Sequence, residues 1–191
     1  MADDFAKYSI PLPATHGWRC KPGNKLFVAD RGAVAFEIPH DWVIKHDAKQ
    51  GLTMHDQAPP DDQARISLTI FRLPPVQGGW GKLSLEQMMI DCEKGRGKKK
   101  KGHKPPAKME MHIEHRPELD LVWAEKGIWP DPENGKPIRC RQLMARARLV
   151  QILITFDVYE NVTAKFEPAW ENLLRSIQVA VPRDITGQIG N

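Results

Sequence analysis

Apolar and polar residues alternate along much of this chain with a period of two, which is the pattern of a half-buried β-strand. We expect strands in AVAFEIPHDW, WVIKHDAKQGLTMHDQ, ARISLTIFRLPP, KMEMHIEH, LDLVWAEKGIWP and PIRCRQLMARARLVQILITFDVY, with the alternation clearest in the first, the third and the end of the last. The second segment contains Gly51, which we expect in a hairpin turn. The last is too long for one average strand, and its arginines change parity between Arg141 and Arg146. We therefore expect a tight turn or bulge near residues 146–149.

Two other segments change to the period of an amphipathic helix. In LSLEQMMIDCEKG, Ser84 and Gln87 fit a capping box at the start, and Gly95 is expected to end the helix. In TAKFEPAWENLLRSIQV the large apolar residues fall on one helical stripe, with Trp170 as the largest. Pro168 is expected in the first turn of that helix. The sequence therefore predicts two helices that pack on the strands.

Strands that are joined mostly by turns, together with two helices, predict an α+β fold. We expect a mostly antiparallel sheet of about six to eight strands with helices packed on it. The predicted organisation is an N-terminal arm at residues 1–24, one domain at 25–180 and a loose C-terminal tail at 181–191.

The strand AVAFEIPHDW, with its Phe, Ile-Pro and Trp, and the closing helix FEPAWENLLRSIQV, with its Trp, Leu-Leu and Ser-Ile, resemble the PsbP-like superfamily. That superfamily includes the photosystem extrinsic protein, the yeast Ran-binding import factor and the bacterial DcrB-type domains. The resemblance covers roughly residues 25–179 and implies an α/β/α sandwich that binds other proteins instead of catalysing a reaction. It offers no catalytic motif to transfer, and the photosystem members lack the lysine-rich segment of this chain.

Charge is unevenly distributed along the chain. The formal net charge is +4, but eight cations lie between residues 94 and 108, where there is no Asp or Glu, so the rest of the chain carries −4. The cations are Lys94, Arg96, Lys98, Lys99, Lys100, Lys101, Lys104 and Lys108. Clustered cations bind phosphates because the neutralised phosphates release counterions. The segment is thus a candidate site for nucleic acid or another polyanion.

The same basic segment has a second interpretation, as a flexible and solvated loop. Its glycines and prolines are expected to interrupt a continuous helix, and it contains no aromatic residue on which a base could stack. Its charges would also deter edge-to-edge pairing of strands. The sequence leaves both interpretations open.

The strands offer a second candidate surface. In the long last segment one face is apolar, from Val150 to Val158, whereas the other face mixes polar and apolar residues. Because two amphipathic helices are about enough to cover one sheet face, we expect the mixed face to be partly open and to bind a protein or peptide. The candidate partner-binding residues are Ser67, Thr69, Phe71, Gln151 and Thr155. The alternative is that the N-terminal arm and the loops with Trp80 and Trp129 cover this face.

Catalytic and metal-binding patterns are weak in this sequence. The His-Asp pairs at 40–41, 46–47 and 55–56 are adjacent, so on a strand the two side chains point to opposite faces. His112 and His115 also point to opposite faces and lack further ligands at zinc spacing. The sequence has no GxxxxGK[ST], GxSxG or HExxH motif. We therefore predict no cofactor, no metal and no named catalytic residue.

The cysteines and the first residues bear on the compartment. Cys20, Cys92 and Cys140 are an odd and scattered set, which is typical of free thiols in a reducing environment. The first 25 residues contain no apolar run of the length that a signal peptide or membrane span requires. We expect a cytoplasmic protein with no membrane span.

Three functions are consistent with these features. The leading hypothesis is a non-enzymatic protein-interaction domain, adaptor or chaperone-like, that binds an unknown protein partner through a sheet face or its rim. The alternative is a protein that associates with nucleic acid or another polyanion through residues 94–108. The second alternative is an enzyme with an unrecognised site, which a deep pocket with converging ionisable groups would favour.

Overall fold

The computed structural model describes residues 11, 18–47, 51–77, 79–99, 110–131 and 134–180. The strands are β1 (Asn24–Ala29), β2 (Val34–Pro39), β3 (Val43–Asp47), β4 (Gly51–His55), β5 (Ala64–Arg72), β6 (Met111–Arg116), β7 (Leu119–Pro130), β8 (Pro137–Ala147), β9 (Val150–Tyr159) and β10 (Gln178–Val179). The helices are α1 (Leu85–Lys99) and α2 (Thr163–Ser176). Every segment with a predicted strand period forms one or two strands.

The strands make two antiparallel sheets. The larger sheet has the order β3-β4-β5-β9-β8-β7-β6, and the smaller one has the order β1-β2-β10. Strand β9 lies at the centre of the larger sheet, between β5 and β8. The expected turn between β8 and β9 falls at Arg148 and Leu149. The α+β fold with a mostly antiparallel sheet is confirmed.

Helix α2 and the smaller sheet cover one face of the larger sheet. The apolar stripe of α2, with Trp170 and Leu173 fully buried, packs on β2 and β9. The face beneath it carries the apolar side of β9 that the sequence predicts. Every residue from Val34 to Ile38 is buried, so β2 is covered on both of its faces and is not half-buried as its alternation predicts.

Helix α1 lies on the opposite face of the larger sheet. Leu85 and Met89 pack on Val122, Ala124 and Met144, and these positions alternate with the residues of β7 and β8 that face the main core. Helices on both faces agree with the α/β/α sandwich that the resemblance implies, whereas the idea that the two helices together would cover one face and leave the mixed face open does not hold. Periodicity identifies the apolar stripe of a helix, but it does not show which of two partly apolar sheet faces that stripe will cover.

Two helix boundaries differ from those expected. Helix α1 continues through Gly95 and Gly97 to Lys99, because each glycine costs a helix only about 1 kcal/mol and the surrounding Lys and Arg residues are good helix formers. The first part of the basic segment is therefore helical instead of a loop, and residues 100–109 lie outside the described residues. Pro168 is in the second turn of α2, which begins at Thr163.

The strands of the larger sheet end at two opposite rims. One rim contains the end of β5 and the turns β6–β7 and β8–β9, and the other contains the loops that precede β5 and β8 and the segment that follows β9. Strand β9 has ten residues and connects the rims, which are therefore about 30 Å apart. In the part of the chain that the structure describes, no helix is long and apolar enough to cross a membrane.

Candidate interaction surface

Four chain segments meet at the first rim, which we call the arginine rim. They are a 3₁₀ turn at Asp30–Gly32, the segment after β5 (73–77 and 79–84), the β6–β7 turn at 117–118 and the β8–β9 turn at 148–149. The amide of Leu73 donates a hydrogen bond of 2.9 Å to the carbonyl of Leu149. This bond joins the end of β5 to the β8–β9 turn.

Exposed apolar side chains are concentrated at the arginine rim. Of the six large apolar side chains that the described residues expose, four belong to it: Phe71, Val76, Leu83 and Leu149, each 42–50% exposed. The carbonyl of Leu83 accepts a 2.6 Å bond from Nη2 of Arg146, and Nε1 of Trp80 donates to the carbonyl of Pro74 at 2.6 Å. These bonds hold the segment after β5 against the end of the sheet, so the four exposed apolar side chains share this rim, and we call them the apolar patch.

Beside this patch is a groove of about 320 Å³, which we call the arginine groove. Its lining consists of Arg31, Gly32, Ala33, Arg72, Arg148, Leu149, Val150 and Ala180. Ala33 and Val150 are buried in its floor, whereas the three arginines are exposed. Phe71 and Arg72 are adjacent on β5 and point to opposite faces, but Leu149 belongs both to the exposed apolar residues and to the groove lining, so the two surfaces adjoin at the β8–β9 turn.

Two of the three arginines form surface ion pairs. Arg72 donates from Nε to Oδ2 of Asp30 at 2.9 Å and from Nη2 to the carbonyl of Asp30 at 3.1 Å. Arg148 donates from Nη2 to Oε2 of Glu118 at 2.9 Å. Arg31 has no hydrogen bond or ion pair with any described residue. Exposed pairs of this kind contribute about 0–1 kcal/mol, so the guanidinium groups can exchange partners at low cost.

The backbone at the arginine rim is strained. Among the described residues, five that are not glycine have positive φ: Asp30 (46°), Arg31 (54°), Glu118 (61°), Arg148 (51°) and Ala180 (54°). All five lie at this rim. A side chain in the left-handed region costs about 1 kcal/mol or more, and such strain is concentrated at functional sites.

The candidate residues of the mixed sheet face lie on one face, as predicted. Ser67 pairs with Thr155, and Phe71 pairs with Gln151. Thr69 and Phe71 are exposed and Ser67 and Thr155 are half-buried, but Gln151 is only 6% exposed and offers a partner almost no surface. The segment after β5 and helix α1 cover the neighbouring part of this face.

The lysine-rich candidate site falls mostly outside the part of the chain that the structure describes. Residues 94–99 are the last residues of α1, and the described chain resumes at residue 110, just before β6. The cations at 100, 101, 104 and 108 lie in the gap. The polyanion site and the solvated loop both remain predictions.

The second rim holds a larger cleft, of about 690 Å³. Asp61, Asp62, Lys136, Tyr159 and Glu160 line it. The Tyr159 hydroxyl donates to Oδ2 of Asp131 at 2.8 Å and accepts from Nδ2 of Asn134 at 2.6 Å. Burial and the Asp131 carboxylate raise the pKa of Tyr159. A raised pKa keeps the phenol protonated, so Tyr159 is not poised to act as a phenolate nucleophile or base.

The histidines form pairs that adjacency in sequence does not predict. His55 contacts Oδ2 of Asp62 at 2.7 Å and Oγ1 of Thr53 at 2.9 Å, while the neighbouring Asp56 accepts backbone amides. His115 contacts Oδ1 of Asp120 at 2.8 Å across strands β6 and β7. Among the described residues there is no group of three or more His, Cys, Asp or Glu side chains that could hold a metal ion.

Solved structures with this fold come from several organisms. The cyanobacterial PsbP protein (CyanoP) of Synechocystis sp. PCC 6803 matches with a TM-score of 0.60 and 11% identity, over 85% of this chain and 98% of that one. The Saccharomyces cerevisiae Ran-binding protein Mog1p matches with a TM-score of 0.51 and 8% identity, over 82% and 95%. A protein from Bacteroides thetaiotaomicron matches with a TM-score of 0.56 and 10% identity over 84% of this chain, which spans 50% of the length of that protein. The chain thus has the PsbP-like fold that its sequence resembles.

The family is narrower than this fold. Residues 25–181 match the model of the Alr1449 family, and the chain belongs to that family. The protein alr1449 of Nostoc sp. (strain PCC 7120) is 27% identical over 179 residues, which are 93% of this chain and 88% of the Nostoc protein.

Proposed function

We propose that this protein is a non-enzymatic protein-interaction domain, adaptor or chaperone-like, that contacts its partner through the arginine rim. The observation that carries the proposal is the patch of Phe71, Val76, Leu83 and Leu149. A protein rarely exposes several large apolar side chains together unless they contact something else. Arginines beside such a patch are typical of protein interfaces, where Arg and aromatic residues are enriched.

The fold is consistent with this class of function. Mog1p, which shares the fold, is a Ran-binding protein, and this likeness supports a protein partner. Of the five candidate residues on the mixed face, Phe71 belongs to the rim, and Ser67, Thr69 and Thr155 extend the proposed contact along the sheet. The proposal takes residues 25–180 as the binding domain, with an arm and a tail on either side.

We place this interaction in the cytoplasm. Cys20 and Cys92 are exposed thiols without a disulfide, which supports a reducing compartment because exposed thiols oxidise readily elsewhere.

Site-specific photo-crosslinking tests the proposal. A photoreactive amino acid replaces Leu149 at the rim, and in a matched control it replaces Ile128, which is 45% exposed on β7, away from the rim. After irradiation in native lysate, the Leu149 position should give a discrete crosslinked band that identifies a partner, and the Ile128 position should not. Equal bands from both positions, or none from Leu149, would refute the rim as the contact surface.

A further inference from the structure

The arginine groove has the shape and charge of a receptor for one kind of segment. We propose that it binds an acidic segment of the partner protein in which carboxylate side chains flank an apolar residue. The inference rests on the proposed function and specifies the chemistry of the partner.

The charges of the groove favour a carboxylate ligand. Arg31, Arg72 and Arg148 line it, and the only acidic groups that pair with them among the described residues are Asp30 and Glu118. Among the residues that the structure describes, the positive charge of Arg31 is therefore left without a paired carboxylate. A guanidinium group binds a carboxylate through two parallel hydrogen bonds, which are shorter and stronger than bonds between neutral groups.

The floor of the groove explains why the segment should also contain an apolar residue. Between the guanidinium groups the lining is aliphatic: Ala33, Leu149, Val150 and Ala180. Leu149 is 43% exposed, so an apolar side chain placed there would remove it from water. The eight lining residues include no aromatic ring on which a nucleotide base could stack. A peptide therefore fits better than a nucleic acid.

The backbone at Arg31 and Arg148 is an independent reason to assign these side chains a role. Both residues have positive φ, where glycine or asparagine is preferred, and Arg148 is in a two-residue hairpin turn. The chain keeps long charged side chains at both positions in spite of the conformational cost. Neither residue contributes to the buried core, so stability does not account for them.

Because glycine tolerates positive φ, both arginines can be replaced with glycine without disturbing the backbone. In the double variant Arg31→Gly, Arg148→Gly, the new residues prefer the existing backbone conformation, and only one exposed ion pair is lost. The double variant should therefore fold as the parent does. A matched control, Lys45→Ala with Arg175→Ala, removes two exposed cations of β3 and α2. A second control replaces Lys98, Lys99, Lys100 and Lys101 with Gln.

The probe is a fluorescein-labelled peptide, Gly-Glu-Glu-Leu-Asp-Glu-Gly, with a counterpart in which Gln and Asn replace the acids. Fluorescence anisotropy on the full chain should show saturable binding of the acidic peptide only. The affinity should fall at least about tenfold in the arginine double variant and stay within about twofold in both controls. Equal affinity in the parent and the double variant would overturn the proposal, as would a loss confined to the lysine variant.

Two further experiments distinguish an acidic peptide ligand from other anionic ligands, and the failure of this proposal from the failure of the proposed function. Heparin and phosphatidylserine vesicles replace the peptide as probes, and a loss of their binding in the arginine variant without a loss of peptide binding would refute a peptide ligand. The Leu149 crosslinking is repeated in the arginine variant. If its band persists while the peptide affinity is unaffected by the substitutions, the acidic segment is refuted and the protein contact at the rim stands. If the parent gives no band either, the proposed function itself fails.

Discussion

Trp170 shows how the core is held together by packing. It is 1% exposed, and its ring lies 5.6 Å from that of Phe156 and 5.5 Å from that of Trp123. The guanidinium group of Arg141 lies over it at 5.7 Å. Its indole Nε1 is buried without a hydrogen-bond acceptor among the described residues. The contribution of this side chain to stability therefore comes from apolar contact and ring geometry.

Replacing Trp170 with Ala should lower the free energy of unfolding by about 3–5 kcal/mol, because the substitution leaves a cavity between α2 and the sheet. Trp170→Phe should cost clearly less, since a ring still stacks on Phe156 and no hydrogen bond is lost. Urea unfolding measures both values. A loss below about 1 kcal/mol for the alanine variant would mean that α2 is not packed as described.

Tyr159 should ionise above the usual pH for a tyrosine, because burial and Asp131 raise its pKa. The raised pKa in the folded state means that the neutral phenol contributes stability below about pH 10, and this contribution is lost as the pH rises through the folded-state pKa. The chain has two tyrosines, so Tyr8→Phe isolates the titration of Tyr159 at 295 nm. Asp131→Asn should lower the midpoint, and an unchanged midpoint would contradict the assigned cause.

At the scale of the element, only one of the two hydrogen bonds of the predicted capping box forms at the start of α1. Oγ of Ser84 accepts a 3.2 Å bond from the amide of Gln87, as in an N-cap. The Gln87 side chain does not return to Ser84; its Nε2 donates to Oδ1 of Asp91 at 2.9 Å. The Ser84 hydroxyl instead donates to the Glu86 carboxylate, and this bond is the main cause of the lowered pKa of Glu86.

Ser84→Ala should therefore destabilise the protein by about 1 kcal/mol, the usual value of an N-cap. Gln87→Ala should cost only a few tenths of a kcal/mol, because it loses one exposed i, i+4 contact. Thermal or urea unfolding of the two variants distinguishes a single N-cap bond from Ser84 from a full capping box that also includes the Gln87 side chain. A loss in Gln87→Ala as large as that in Ser84→Ala would indicate that a full capping box forms in solution.

The elements were predictable because their signals are local, whereas the arginine rim was not. Alternation over five to ten residues is enough to indicate β5 or β9, and the change of parity at Arg146 indicates the turn that follows. Arg31, Arg72 and Arg148 are distant in sequence and meet only when the sheet forms. The one local signal was an arginine in a two-residue turn, where glycine or asparagine is usual. The side of the sheet that α1 covers also depended on contacts that no single segment contains.

At the scale of the whole molecule, the segment 94–108 carries eight positive charges and the rest of the chain has a net charge of −4. Replacing Lys98, Lys99, Lys100 and Lys101 with glutamine removes four of these charges. Glutamine is a good helix former, so it preserves the end of α1 at Lys99. The free energy of unfolding should stay within about 0.5 kcal/mol of the parent, as for other surface changes.

The same glutamine variant tests the polyanion alternative on heparin or DNA. If the segment binds phosphates, the salt dependence of binding should decrease by up to about four units of slope, since each phosphate contact contributes about 0.9. Equal retention of parent and variant would show that these lysines do not bind the polyanion and would favour the solvated interpretation. Arg31→Gly with Arg148→Gly serves as the comparison, because it removes cations from another surface.

The distance between the two rims affects how fast an acidic partner associates with the protein as well as how tightly it binds. The arginines are at one end of β9 and Asp61, Asp62 and Glu160 at the other, about 30 Å away, which is several Debye lengths at physiological ionic strength. An acidic segment near the groove is attracted by the arginines, and one near the other rim is repelled by its carboxylates. Added salt should therefore slow association much more than it speeds dissociation.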